Sequence, residues 1–148
     1  MKKFLGLFAL SLTLCACKPY SEADLDAFDK KMKTFQDKKG LTLEHSTSGL
    51  RYKIIDNGGD KAIRSNDLIK VSYVGELLDG TEFDRQNTPI ELPVNSLIAA
   101  WREVLAEMHV GDSCVLIAPP NIGYGAQEKG EIPKHSILYF RLKVHDSY

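Results

Sequence analysis

The sequence predicts an α+β domain: one antiparallel β-sheet packed on a single short helix, with a second helix ahead of it. Three observations carry the expectation. From Gly49 onward, short stretches of alternating apolar and polar residues recur between turn residues, the period of half-buried strands. Among them, Leu97 to Met108 spaces its apolar residues for a helix instead. Upstream, Ser21 to Lys39 carries helix start and stop signals of its own. Strands joined by short turns favour antiparallel pairing, with one face solvated and the other buried on the helix.

In chain order, residues 1–17 (MKKFLGLFALSLTLCAC) read as an export leader. Lys2 and Lys3 precede an uncharged apolar run from Phe4 to Leu14, followed by small residues and cysteines. The run is shorter than the roughly 20 residues that span a bilayer. Leu14-Cys15-Ala16-Cys17 resembles a bacterial lipobox, with Leu14 at −3, Ala16 at −1 and Cys17 as the lipidated residue. An acylated Cys17 would hold the protein to a membrane, each buried methylene adding ~0.8 kcal/mol. Lys18 follows, not the aspartate that commonly retains lipoproteins at the inner membrane. The expected place is therefore the bacterial cell envelope, facing the periplasm, with the outer membrane favoured.

Residues 18–48 form the next expected unit, a helix and a linker. Ser21 with Asp24 makes a capping-box pattern, and Gly40 stands where the helix would stop. Leu25, Phe28, Met32 and Phe35 line one face. A stripe this narrow has three uses: packing on its own domain, pairing with a second copy in a homodimer, or spacing the domain from a membrane. Leu41 to Ser48 reads as a polar connector.

Residues 49–148 form the main domain. Leu50, Tyr52 and Ile54 alternate with Arg51 and Lys53 as a strand, ended by the Asn57–Asp60 turn. Leu68 to Leu78 is a second strand, stopped by Asp79-Gly80, and Thr81 to Asp84 returns. Ile90 to Leu92 is a short separate strand between prolines. Asn95 or Ser96 caps the internal helix, whose apolar face is Leu97, Ile98, Trp101, Leu105 and Met108. Cys114 to Ala118 follows the Gly111-Asp112 turn, a loop runs from Pro119 to His135, and Ile137 to Val144 closes the domain.

Composition excludes several function classes. A net charge of −1 leaves no electrostatic footprint for nucleic acid. GxSxG, HExxH, CxxC and glycine-rich phosphate motifs are absent. His45, His109, His135 and His145 are scattered without ligand spacing, and Glu103 with Glu107 reads as a solvated helix face, so neither a metal nor a cofactor is expected. Cys114 lies in an apolar run and is expected to be buried and inert.

What remains is a set of aromatic residues at element edges. By periodicity alone Trp101, Phe83 and Phe140 read as core, and Asp84 as a turn residue; Tyr124, between two glycines, is less expected in a core. The runs VSYVGELLDGTEFD, WREVLAEMHVGDSCVLIAPPNIGYGA and IPKHSILYFRLKV, with the lead-in SGLRYKIIDNGGD, resemble the FKBP-type peptidyl-prolyl cis/trans isomerases from Gly49 to about Val144. With the leader, the chain resembles a bacterial lipoprotein form of that family. The resemblance implies a bent antiparallel sheet of five to six strands wrapped around one short helix.

It also implies a site. Trp101 would form the pocket floor, with Tyr73, Phe83 and Phe140 as walls and Leu97 and Ile98 at the rim. The Ile98 N–H and the Tyr124 hydroxyl would each bind a substrate carbonyl. Asp84 would stand at the pocket edge, Ile132 in the loop above, and Ile90 at a substrate-contacting position. The implied partners are proline-containing unfolded or exported polypeptides.

Such a site suits the chemistry. Rotation about an X–Pro bond costs ~18–20 kcal/mol of amide resonance, and no covalent step is needed. Twisting removes charge separation, so a dry apolar pocket disfavours the planar amide more than the twisted one. The chain departs from the family pattern at Arg85–Thr88, shorter than the usual loop, so the arginine that frequently partners the aspartate has no matching position, and Arg85 is the candidate for Asp84. It departs also at Ala99-Ala100 before the tryptophan and at Glu131 beside Ile132. The competing expectation is a non-catalytic FKBP-like chaperone or peptide-binding module.

Overall fold

The computed structural model of the chain describes residues 20–57 and 59–148; residues 1–17, read from the sequence as an export leader ending in a lipidated Cys17, lie outside the described residues. Helix α1 spans Glu22–Lys39. Ser21 caps it through a reciprocal pair, the Asp24 N–H donating to Ser21 Oγ at 3.2 Å and the Ser21 N–H to Asp24 Oδ2 at 3.0 Å. Gly40 ends it at φ 66°, a left-handed cap that glycine adopts without strain.

Six strands follow: β1 (Glu44–His45), β2 (Arg51–Ile55), β3 (Leu68–Leu77), β4 (Glu82–Pro93), β5 (Ser113–Ala118) and β6 (Leu138–Ser147), with helix α2 (Ala99–Leu105) between β4 and β5. They form one antiparallel sheet in the order β1-β2-β5-β6-β3-β4. The inner face packs on α2: Leu138, Phe140, Leu142 and Val144 of β6 join Cys114 and Leu116 of β5 around Ala100, Trp101, Val104 and Leu105. Cys114 is 1% exposed, and burial pushes its thiol up to about 12.

Several expectations are corrected. The outer face of the sheet is solvated only in part, because α1 covers a patch of it: Met32 and Phe35 meet Ile117, Ile137 and Tyr139. Each such side chain contributes about 1.5–3 kcal/mol on burial. Of the three uses open to the helix stripe, packing on its own domain is the one seen; Leu25 stays exposed at the end of the stripe. Arg51, which alternation assigned to the solvated face, is buried beneath α1. Its guanidinium donates to Gln36 Oε1 at 2.9 Å and Asp29 Oδ1 at 2.8 Å. The polar connector contains β1, which pairs with β2.

The two short strands expected around residues 81–92 are one, β4. It runs along β3 without a loop, but Val71 pairs with Ile90 and Tyr73 with Gln86, so Asn87, Thr88 and Pro89 bulge opposite Ser72 alone. Proline is tolerated there because β4 is an edge strand and a bulge frees its missing donor. The internal helix starts later than its candidate caps. Val94–Ser96 is a 3-10 turn, Ser96 Oγ donates to the Pro93 carbonyl at 2.8 Å, and Ile98 takes the N-cap.

Candidate functional site

Three strands and α2 converge on a cavity of about 400 Å³. Register explains the convergence. Gly75 of β3 pairs with Asp84 of β4 on one side and Phe140 of β6 on the other, while Tyr73 lies two residues earlier on the same face. Trp101, on the first turn of α2, faces them.

The four rings form a perpendicular chain. Tyr73 meets Trp101 edge to face at 5.1 Å, Trp101 meets Phe140 at 5.3 Å, and Phe140 meets Phe83 at 5.5 Å. Such contacts add about 0.5–1.5 kcal/mol each beyond burial and fix each ring's tilt. Trp101 is 4% exposed, yet it lines the cavity, together with exposed Asp84 and exposed Lys129. Its Nε1 is buried with no hydrogen-bond partner among the described residues.

Polar groups stand at the rim. The Tyr73 hydroxyl donates to Asp84 Oδ2 at 2.6 Å. Burial, and then this bond, push the Tyr73 phenol well above its ordinary range. Burial and the nearby Asp84 charge raise Tyr124 as well, so both phenols are protonated donors at neutral pH. The Ile98 N–H precedes the first helical bond of α2 and has no intrahelical partner.

The structure thus brings Tyr73, Phe83, Asp84, Leu97 and Ile98 together with Trp101, Tyr124, Ile132 and Phe140. Ile90 is not among the lining residues. It emerges from the β4 bulge opposite Val71, and Leu92 reaches the cavity in its place. Arg85 does not partner Asp84; its Nε donates to Glu82 Oε1 at 2.9 Å. Sequence reasoning missed Leu92, Ser96, Lys129 and Gly130, which also line the cavity, and Gly75, whose missing side chain leaves room for Phe83. The signal for Gly75 was present, a glycine inside a strand pattern. Among the described residues, no group of three His, Cys, Asp or Glu side chains is placed to hold a metal.

The family model described as FKBP-type peptidyl-prolyl cis-trans isomerase matches residues 59–145. The chain belongs to the FKBP-type peptidyl-prolyl cis-trans isomerase family. Among curated FKBP-type relatives, the isomerase FkpA of Buchnera aphidicola (subsp. Schizaphis graminum) is 40% identical over 119 residues, covering 78% of this chain and 46% of that protein. FkpA of Escherichia coli K12 is 32% identical over 128 residues, covering 84% and 47%. The chain therefore spans about half the length of the curated relatives it matches. The crystal structure of Escherichia coli FkpA superposes with a TM-score of 0.71 at 30% identity, covering 85% of this chain and 62% of that one. A peptidyl-prolyl isomerase structure from Pseudomonas syringae pv. tomato gives 0.72 at 27% identity, covering 88% and 97%. The six-stranded antiparallel sheet with α2 between β4 and β5, together with these structural neighbours, matches the FKBP-like fold that the resemblance implied.

Proposed function

We propose that the chain catalyses cis/trans isomerisation of X–Pro bonds in exported polypeptides, within the bacterial cell envelope. The observation that carries this reading is the position of Trp101: an indole at the floor of an open cavity, walled by Tyr73, Phe83 and Phe140. A prolyl ring seated on that floor leaves water, and its amide sits in a medium that favours the less polar twisted form. The Ile98 N–H and the Tyr124 hydroxyl bind the carbonyls flanking the proline. Asp84 holds the Tyr73 ring against Trp101 through the phenol bond. Each ~1.4 kcal/mol of preference for the twisted amide gives tenfold in rate.

Neither Glu131 nor residues 85–88 line the cavity, which supports catalysis over a binding-only module. The leader and lipobox pattern support attachment through lipidated Cys17, and Lys18 supports the outer membrane as destination. A homodimer through the N-terminal helix is the weaker reading, since Met32 and Phe35 are covered by their own sheet. Sedimentation of the full chain tests it.

A protease-coupled prolyl-peptide assay tests the activity on wild type, Asp84→Val and Tyr124→Phe. The expected result is measurable catalysis by wild type, reduced about tenfold or more in each variant. Background rates for all three would reject catalysis.

A further inference from the structure

The β5–β6 loop carries Tyr124 and Ile132, two cavity-lining residues that neither a strand nor α2 holds. Its neck is closed by one backbone bond, the His135 N–H donating to the Gly125 carbonyl at 2.8 Å. Tyr124 stands immediately before one end of that bond, and Ile132 three residues before the other. His135 has φ 59°, the one non-glycine residue at positive φ among the described residues. A residue with a side chain persists in that left-handed conformation only where its surroundings impose it.

Tyr20 lies against His135. Its hydroxyl lies 2.8 Å from His135 Nδ1, and the two rings meet edge to face at 5.6 Å. Tyr20 is itself braced edge to face on Phe28 of α1 at 5.2 Å. The same hydroxyl lies against the other end of the neck: a Cβ built on Gly125 would stand 3.9 Å from it. Neither Tyr20 nor His135 lines the cavity.

We propose that Tyr20 and His135 are positioning residues that latch the neck of the 119–137 loop and so hold Tyr124 and Ile132 at the cavity mouth. The segment ahead of α1 is then part of the substrate-binding apparatus. The catalytic consequence rests on the isomerase reading above; the latch itself does not. Without the latch the loop opens more often, and the grip on the substrate weakens while the aromatic floor is untouched.

The test uses the full chain with Tyr20→Phe, which keeps the ring and removes only the hydroxyl. A second variant, His135→Gly, keeps the left-handed backbone and removes the imidazole; the double variant completes the cycle. Amide hydrogen exchange reads the protection of residue 135 against that of Leu116, and steady-state assays on an X–Pro peptide separate KM from kcat. The latch predicts protection at residue 135 reduced at least tenfold in each variant with Leu116 unchanged. It predicts KM raised several-fold with kcat within twofold, and a double variant no worse than the worse single. Wild-type protection at residue 135 in both variants overturns the latch, and lost protection with unchanged KM overturns its role in binding. An inactive wild type removes the isomerase reading, while the exchange measurement still decides the latch.

Discussion

A Cβ built on Gly75 would stand 2.5 Å from Phe83 Cε2 and 2.9 Å from Phe140 Cε1. The glycine is what lets two aromatic walls, carried on strands to either side of β3, close over the same point of the sheet. Real Cβ atoms do not approach this near, so any side chain there displaces a ring.

Gly75→Ala is therefore expected to destabilise the fold by about 1–3 kcal/mol, as overpacking does. It should also lower kcat/KM more than the stability loss explains, because Phe83 or Phe140 leaves its place in the cavity wall. Urea denaturation with peptide kinetics on the same samples checks both. Wild-type kinetics in a folded Gly75→Ala chain would show that the walls tolerate the shift.

Tyr73 gives a pH prediction. Its folded-state pKa is raised above the unfolded value by burial and by its bond to Asp84. The folded chain therefore holds this proton more tightly, and the stability it contributes is complete below about pH 10. That stability is lost as pH rises from there through the folded pKa. Tm is expected to be flat with respect to this group between pH 6 and 9 and to fall above 10. Tyr73→Phe should reduce the alkaline fall; an identical slope in the variant would remove Tyr73 as its source.

Met32, 1% exposed, packs α1 on the outer sheet face. Met32→Ala is expected to cost about 2–5 kcal/mol of stability. The loss should not depend on protein concentration, because the contact lies within one chain. Denaturation across a hundredfold concentration range tests this, and a concentration-dependent loss would place Met32 between two copies.

Local signals proved legible where one interaction decides the conformation. Ser21, Asp24 and Gly40 define α1 because capping is a matter of neighbouring backbone groups. Leu138, Phe140, Leu142 and Val144 all face the main core because strand alternation puts them on one side and all four are apolar. Readings failed where a distant element intervenes. Arg51 alternates correctly as an outward residue, and only the docking of α1 buries it. The β4 bulge depends on how Ser72 is opposed across the ladder, which no local pattern encodes. Through it the cavity position passes from Ile90 to Leu92. The Trp101 floor was visible only through the family resemblance, since its helical spacing fits a core residue equally well.

Trp101, the proposed floor of a prolyl site, is the only tryptophan in the chain and so reports on that site directly. The decisive measurement is its fluorescence during titration with an X–Pro peptide and with the matched X–Ala peptide. A saturable change in emission with the prolyl peptide and none with the alanyl control is the expected result. Equal responses to both peptides, or no response to either at millimolar concentration, would contradict it.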